Sequence, residues 1–237
     1  MYRKTLILFC TLLLCLTACQ VDPVDYPDVD PVITYNEGDY NHCFDSLVAE
    51  LGYRKELPEG YELQTLLALR HYPELTNTHI QFIVKKAFIP LASRPSSISL
   101  LRQRDKRIYR VIISDRSLPQ MEAILLKNLP FNAQVAIIGH ELAHAVDYET
   151  MNSHQLSIVG LLYFCGSFRA SMEKGTDRRT IDHGLGWQLL EYAEYVRNVS
   201  GSNDRQIDFM DKFYMNPQEI RALMDQSELY QKTSKIN

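Results

Sequence analysis

The chain lacks several features that mark large protein classes. It has no run of five or more basic residues, and its formal net charge is −4. An acidic balance without a basic stripe repels phosphate backbones, so no nucleic-acid partner is expected. The most apolar stretch, Leu6 to Leu16, is too short to cross a bilayer, which takes about 20 residues. No second such stretch follows, and there is no internal repeat. Cysteine is scarce: of five, three fall within the first nineteen residues. Only Cys43 and Cys165 remain beyond them, enough for one disulfide in an oxidising compartment or for two free thiols. Against these absences stand an apolar share of 46% and a charged share of 23%, which suit one globular domain with a real core.

The first residues, "MYRKTLILFCTLLLCLTAC", carry Arg3 and Lys4, then the apolar run, then Leu16-Thr17-Ala18-Cys19. This order reads as a signal peptide over residues 1–18 and is set aside from fold reasoning. Its end resembles the lipobox of bacterial lipoproteins. That resemblance implies cleavage before Cys19, lipid on the Cys19 thiol, and attachment to a membrane of the bacterial cell envelope. Gln20 rather than aspartate follows, which favours the outer membrane, facing the periplasm or the cell surface. The alternative is an ordinary secretory signal with a cysteine near its cleavage site. Loss of residues 1–18 removes two positive charges, 25 − 2 = 23 Lys+Arg against 29 Asp+Glu, for a net charge of −6.

Residues 19–40 hold three prolines and six acidic residues and read as an acidic, semi-extended tether. Its later part, with Val32, Ile33 and Tyr35, has an alternative as an arm lying on the domain. The globular domain is expected over 41–237. "CFDSLVAELG" and "LQTLLALRHYPEL" have helical spacing, and Gly52 stops the first. Residues 79–89 alternate and residues 107–115 are β-branched, so both read as strands. Between them, 90–106 reads as a long loop or wide hairpin. "MEAILLKNLP" reads as a short helix closed by Pro130. From Asn132 onward helices dominate, with candidates at 156–173, 185–198 and 217–231. The last opens with Asn216-Pro217-Gln218-Glu219, an N-cap, a proline at the first helical position and a capping-box glutamate. Strands first and helices after predict an α+β domain, a small antiparallel or mixed sheet packed on a helix with a mostly helical C-terminal half.

The chemistry is concentrated in "IIGHELAHAV", residues 137–146. A helix capped by Asn132 and running to about Tyr148 places Val135, Ile138, Leu142, Ala145 and Val146 on one face. His140 and His144 fall on the opposite face, one turn apart, with Glu141 beside them. This is the HExxH spacing that lets two imidazoles converge on one metal ion. Uncharged residues frame it on both sides. The alternative is a helix with two partly exposed histidines.

A third ligand is needed. Asp147 lies seven residues from His140, about 10.5 Å along a straight helix, too far to share a metal. It reads as a solvated or orienting carboxylate. Downstream, "SMEKGTDRRTI" carries Glu173 and Asp177, four apart and on one face if helical. HExxH followed by a separate helix with Glu-x-x-x-Asp resembles the gluzincin zinc metallopeptidases, over about residues 132–184. The resemblance implies a zincin-like fold and one Zn²⁺ held by His140, His144 and Glu173. It also implies that Asp177 fixes one of the ligand histidines through its second ring nitrogen. Gly175 departs from a good helix between them, and the segment is expected to bend there. Glu191, Glu194 and His183 stay open as alternatives for the third ligand.

The activity implied is zinc-dependent hydrolysis of a peptide or protein substrate. Glu141 would act as general base on the attacking water, and His183 or one of Tyr148, Tyr163, Tyr192 and Tyr195 would steady the oxyanion. The strand at 107–115 is expected to lie along the cleft, with Arg110–Ile113 lining it. Two other classes fit the same residues: a degenerate zincin that binds a protein or cell-wall partner, and a zinc hydrolase of a non-peptide bond.

Overall fold

The computed structural model describes residues 29–198 and 204–233. The expected signal peptide, Cys19 and the first part of the expected tether lie outside the described residues. Four strands, β1 (Lys55–Glu56), β2 (His79–Lys85), β3 (Leu91–Pro95) and β4 (Ile108–Ser114), form one mixed sheet in the order β1-β2-β4-β3. β1, β2 and β4 run parallel, and β3 is antiparallel to β4. The helices are α1 (Phe44–Leu51), α2 (Glu62–Leu69), α3 (Phe131–Thr150), α4 (Ser153–Leu162), α5 (Gly166–Thr180), α6 (Gly186–Asn198), α7 (Asp204–Phe213), α8 (Pro217–Gln226) and α9 (Glu228–Thr233). The domain is α+β, as the order of elements predicts. No described helix is long and apolar enough to cross a membrane.

β4 is one of the two inner strands, and its Val111, Ile112 and Ile113 are buried. A near-continuous apolar run is what a strand covered on both faces requires. The cleft-lining role expected for Arg110–Ile113 therefore fails. That position belongs to β3, which occupies the edge beyond β4 and lies within the segment expected over 90–106 as a long loop or wide hairpin. "LASRP" is short and ends in Pro95, which has no N–H to donate and is tolerated at an edge but not in a central strand.

α3 is the hub, packing against β3, α2, α5 and α6. It is buried almost all round, including His140, Glu141 and His144, rather than on one apolar face. Its N-cap is Pro130, not Asn132. Asn132 sits inside the first turn, where its side chain accepts from the Tyr35 N–H at 2.8 Å and donates to the Tyr35 carbonyl at 3.2 Å. Those two bonds fasten the arm that precedes α1. Tyr35 is 2% exposed and Val32 packs on the core, so the globular unit begins upstream of residue 41.

The helix expected over 156–173 is two helices, α4 and α5, parted at Tyr163–Cys165, and α7 was not anticipated. The 119–129 segment forms two 3₁₀ turns instead of one helix. The Asn216–Glu219 capping box is present in both directions, at 2.8 and 2.9 Å. Cys43 and Cys165 are free thiols.

The arm is also tied through His71, which is 1% exposed. Its Nδ1–H donates to the His183 carbonyl at 2.6 Å, and its Nε2 accepts from the Tyr35 hydroxyl at 2.6 Å. Burial pushes the His71 pKa down to about 4. Between the ordinary histidine value near 6.5 and about 4, the unfolded chain takes up a proton that the folded chain refuses. Stability is therefore lost as pH falls through that window, by about 3 kcal/mol in all. Urea midpoints followed from pH 6.5 to 4.5 should fall less steeply for His71→Gln than for the wild-type chain. Equal slopes would remove His71 from this account.

Candidate metal centre

The centre is assembled from α3 and α5. On α3, His140 and His144 stand one turn apart, their rings edge to face at 4.9 Å between centroids. α5 crosses them and brings Glu173 between the two rings. Glu173 Oε2 lies 3.2 Å from His140 Nε2 and 3.4 Å from His144 Nε2. The three ligand atoms all lie within 4.8 Å of one another, and all three residues are buried. Among the described residues this is the one group of three or more His, Cys, Asp or Glu with such convergence.

Both tautomers follow from the partners behind the rings. His140 Nδ1 faces Asp177 Oδ1 at 2.9 Å, a carboxylate that can only accept, so Nδ1 carries the proton. Asp177 Oδ2 accepts in turn from the Met215 N–H at 2.8 Å. His144 Nδ1 lies 3.2 Å from the Thr176 hydroxyl, which already donates to the Met172 carbonyl at 2.9 Å. Thr176 is then the acceptor and His144 Nδ1 the donor. Both Nε2 atoms are left directed at the space beside Glu173. A buried His₂Glu set with each second nitrogen fixed is a donor set that fits a divalent transition metal.

Burial opposes charge on His140, but its hydrogen bonds to the Asp177 and Glu173 carboxylates outweigh it and hold the ring well above its usual pKa, so a metal taken up at Nε2 displaces a proton. Burial opposes charge on Glu173 as well, and the two imidazoles overcome it to hold the carboxyl well below the usual range. The Tyr163 hydroxyl donates to Glu173 Oε1 and positions the carboxylate from behind. Glu141 is 6% exposed, and its Oε2 has no hydrogen-bond partner. Burial raises its pKa, with both imidazoles opposing.

The helix through Glu173 does not bend at Gly175. α5 runs unbroken to Thr180, with Gly175 exposed and nothing within 4 Å of where a Cβ would stand. A cost near 1 kcal/mol is small beside the packing of α5 on α3. The break comes later, in a π turn over Ile181–Leu185 whose Gly184 has φ 84°. Gly139, just before His140, packs so closely on this turn that a Cβ there would collide with Leu185.

The structure does not bring His183 to the centre. It is fully buried, stacked on Tyr72 at 4.5 Å, with Nε2 bound to Glu74 at 2.7 Å and Nδ1 to the Arg179 carbonyl at 2.8 Å. Its backbone carbonyl holds His71, so the residue serves the core rather than the cleft. Asp147 pairs with Arg179 at 2.5 Å, away from the ligand atoms. Glu194 pairs with Arg221 at the surface, and neither it nor Glu191 joins the cluster.

A cavity of about 1080 Å³ opens over the centre, reaching His140, Glu141, His144 and Glu173. β3 forms one wall, and α4 and α7 contribute others. Tyr148, Tyr163 and Tyr192 line it, whereas Tyr195 donates to the Asn128 carbonyl at 2.8 Å and does not. Sequence reasoning missed Thr176 and Tyr214. Tyr214 lies between α7 and α8, its ring 5.9 Å from that of His140. Thr176 had a weak signal, standing three residues after Glu173 on the same helix. Tyr214 had none, since α7 itself was not anticipated. Compared with protein-family models, curated proteins and solved structures, the chain matches none.

Proposed function

We propose that this chain is a zinc-dependent peptidase that cleaves within peptide or protein substrates, as a lipid-anchored protein of the bacterial cell envelope. The observation that carries the reading is the convergence of His140, His144 and Glu173 beside a buried Glu141 whose Oε2 has no hydrogen-bond partner, all lining one cleft. The resemblance of this set to the gluzincin pattern, and of Leu16–Cys19 to a lipobox, supports the remaining terms. A zincin-like architecture is part of the same proposal.

His140 Nε2, His144 Nε2 and Glu173 would hold the ion. Bound there, zinc supplies Lewis acidity and lowers the pKa of a water toward about 7. Glu141 accepts the proton of the attacking water and returns it to the leaving amine nitrogen. Asp177 and Thr176 keep both imidazoles in the ligating tautomer. An extended substrate would add along the free edge of β3, whose Leu91–Pro95 wall faces the cavity. Tyr214 also lines the cavity, where its hydroxyl can meet negative charge developing on the carbonyl oxygen.

The test is elemental analysis and digestion on residues 20–237. One equivalent of zinc per chain, and cleavage of a peptide library that stops with a chelator and returns with zinc, is the expected result. A purified chain without stoichiometric metal would sink the reading. Metal with binding but no cleavage would favour a peptide-binding zincin.

A further inference from the structure

The cavity wall carries a charge pattern opposite to that of the chain. Its acidic members are Glu141 and Glu173, both belonging to the metal centre, whereas Arg94, Arg169 and Arg205 line it from β3, α5 and α7. Among the described residues none of these three arginines has a carboxylate within 4.0 Å. A chain of net charge −4 thus sets three arginines around one cleft. Like charges lining one cleft repel one another, and of the chain's carboxylates it is Glu173 whose attraction reaches Arg169. A ligand of opposite charge would relieve that repulsion.

Arg169 is the best placed. It precedes Glu173 by one turn of α5, about 6 Å along the axis. Its guanidinium is stacked among aromatic rings, 4.6 Å from the Phe213 centroid, 5.2 Å from Tyr163 and 5.5 Å from Phe209. Stacking fixes the plane of the fork and leaves its N–H edge to bond in that plane. The Tyr214 hydroxyl is its hydrogen-bonding partner, and Nε is buried with no partner at all. Five donors on a pre-oriented fork are underused. A carboxylate is the group whose two oxygens match that fork.

We infer that Arg169 is a specificity-determining residue that binds a carboxylate of the substrate, so that the cleft selects acidic peptides, with Arg94 and Arg205 adding to the attraction. The inference rests on the peptidase reading above. The carboxylate could come from an Asp or Glu side chain or from a free chain end, and the experiment separates the two.

The probes are N-acetylated nonapeptide libraries, fixed at one position as Glu or as Gln, each made with an amidated and with a free C-terminus. The full-length chain in detergent, loaded with one equivalent of zinc, is assayed for kcat/KM. Fluorescein-labelled versions measure binding to Glu141→Gln. The expected result is at least a ten-fold preference for the carboxylate-bearing member. Arg169→Met should bring that ratio close to one, and Arg169→Lys, which keeps charge but loses the fork, should leave a few-fold preference. A ratio is unmoved by a general loss of folding or of metal. A preference for Glu in amidated libraries assigns the carboxylate to a side chain. A preference that follows the free terminus assigns it to the chain end. A wild-type ratio near one, or a ratio that survives Arg169→Met, overturns the inference. Binding with the same Arg169-dependent preference but without cleavage keeps the inference and removes the peptidase reading.

Discussion

Glu141→Gln retains one metal ion per chain and loses hydrolysis by about a thousand-fold or more. A positioned general base contributes roughly 10²–10⁴ to the rate, and in the proposed mechanism the same residue serves at both proton transfers. Glutamine matches the carboxylate in size, so the buried site keeps its packing, but it cannot accept the proton. The unpartnered Oε2 makes the assignment sharp. A buried carboxylate oxygen without a donor is costly unless something other than the fold uses it. Every other buried carboxylate at the centre is engaged: Glu173 by two imidazoles and Tyr163, Asp177 by His140 and Met215. The measurement pairs zinc content with kcat on a peptide that the wild-type chain cleaves. Activity within ten-fold of wild type would remove Glu141 from the proton transfers. Joint loss of metal and activity would place it among the ligands instead.

The parts of the site that could be read from the sequence are those set by spacing along one helix. His140 to His144 is one turn, Glu173 to Asp177 is another, and helix geometry alone brings each pair to one face. What spacing does not carry is the angle at which α5 crosses α3. That angle decides that Asp177 reaches His140 and leaves His144 to Thr176. His183 misled because it precedes Gly184 near the end of the motif region. The glycine's left-handed φ serves a π turn that faces the core and His71, not the cleft. Gly175 misled in the opposite sense, since propensity was weighed without the tertiary contacts that hold α5. The sheet was half legible. β2 alternates and β4 is continuously apolar, so both stand out, while β3 has only five residues with a proline at its end and borrows its strand character from β4. The edge that a substrate would use was therefore the hardest strand to see. Such an edge is short because a long exposed one would invite aggregation.

Glu173→Ala loses the metal and makes the chain's stability insensitive to chelators. Binding of zinc by a full protein ligand set is worth about 10–16 kcal/mol. Shared among its ligands, that is about 3 kcal/mol for one carboxylate, a hundred- to thousand-fold in affinity. The alanine chain should therefore emerge from dialysis without zinc under conditions that leave the wild type loaded. A second consequence separates this from simple damage. A metal that binds only the folded state raises stability by RT ln(1 + [L]/Kd), so chelation must lower the wild-type melting temperature. In Glu173→Ala that term is already absent, and the melting curves with and without chelator should coincide. Asp177→Asn makes the graded comparison, because it removes the acceptor behind His140 Nδ1 without removing a ligand. Outer partners of this kind are worth about 10- to 100-fold in affinity, so its chelator-dependent shift should fall between the other two. Were Glu173→Ala to bind zinc as tightly as wild type, the third ligand would have to come from elsewhere. Among the described residues the convergence of Glu173 on both Nε2 atoms leaves no other carboxylate in place to supply it.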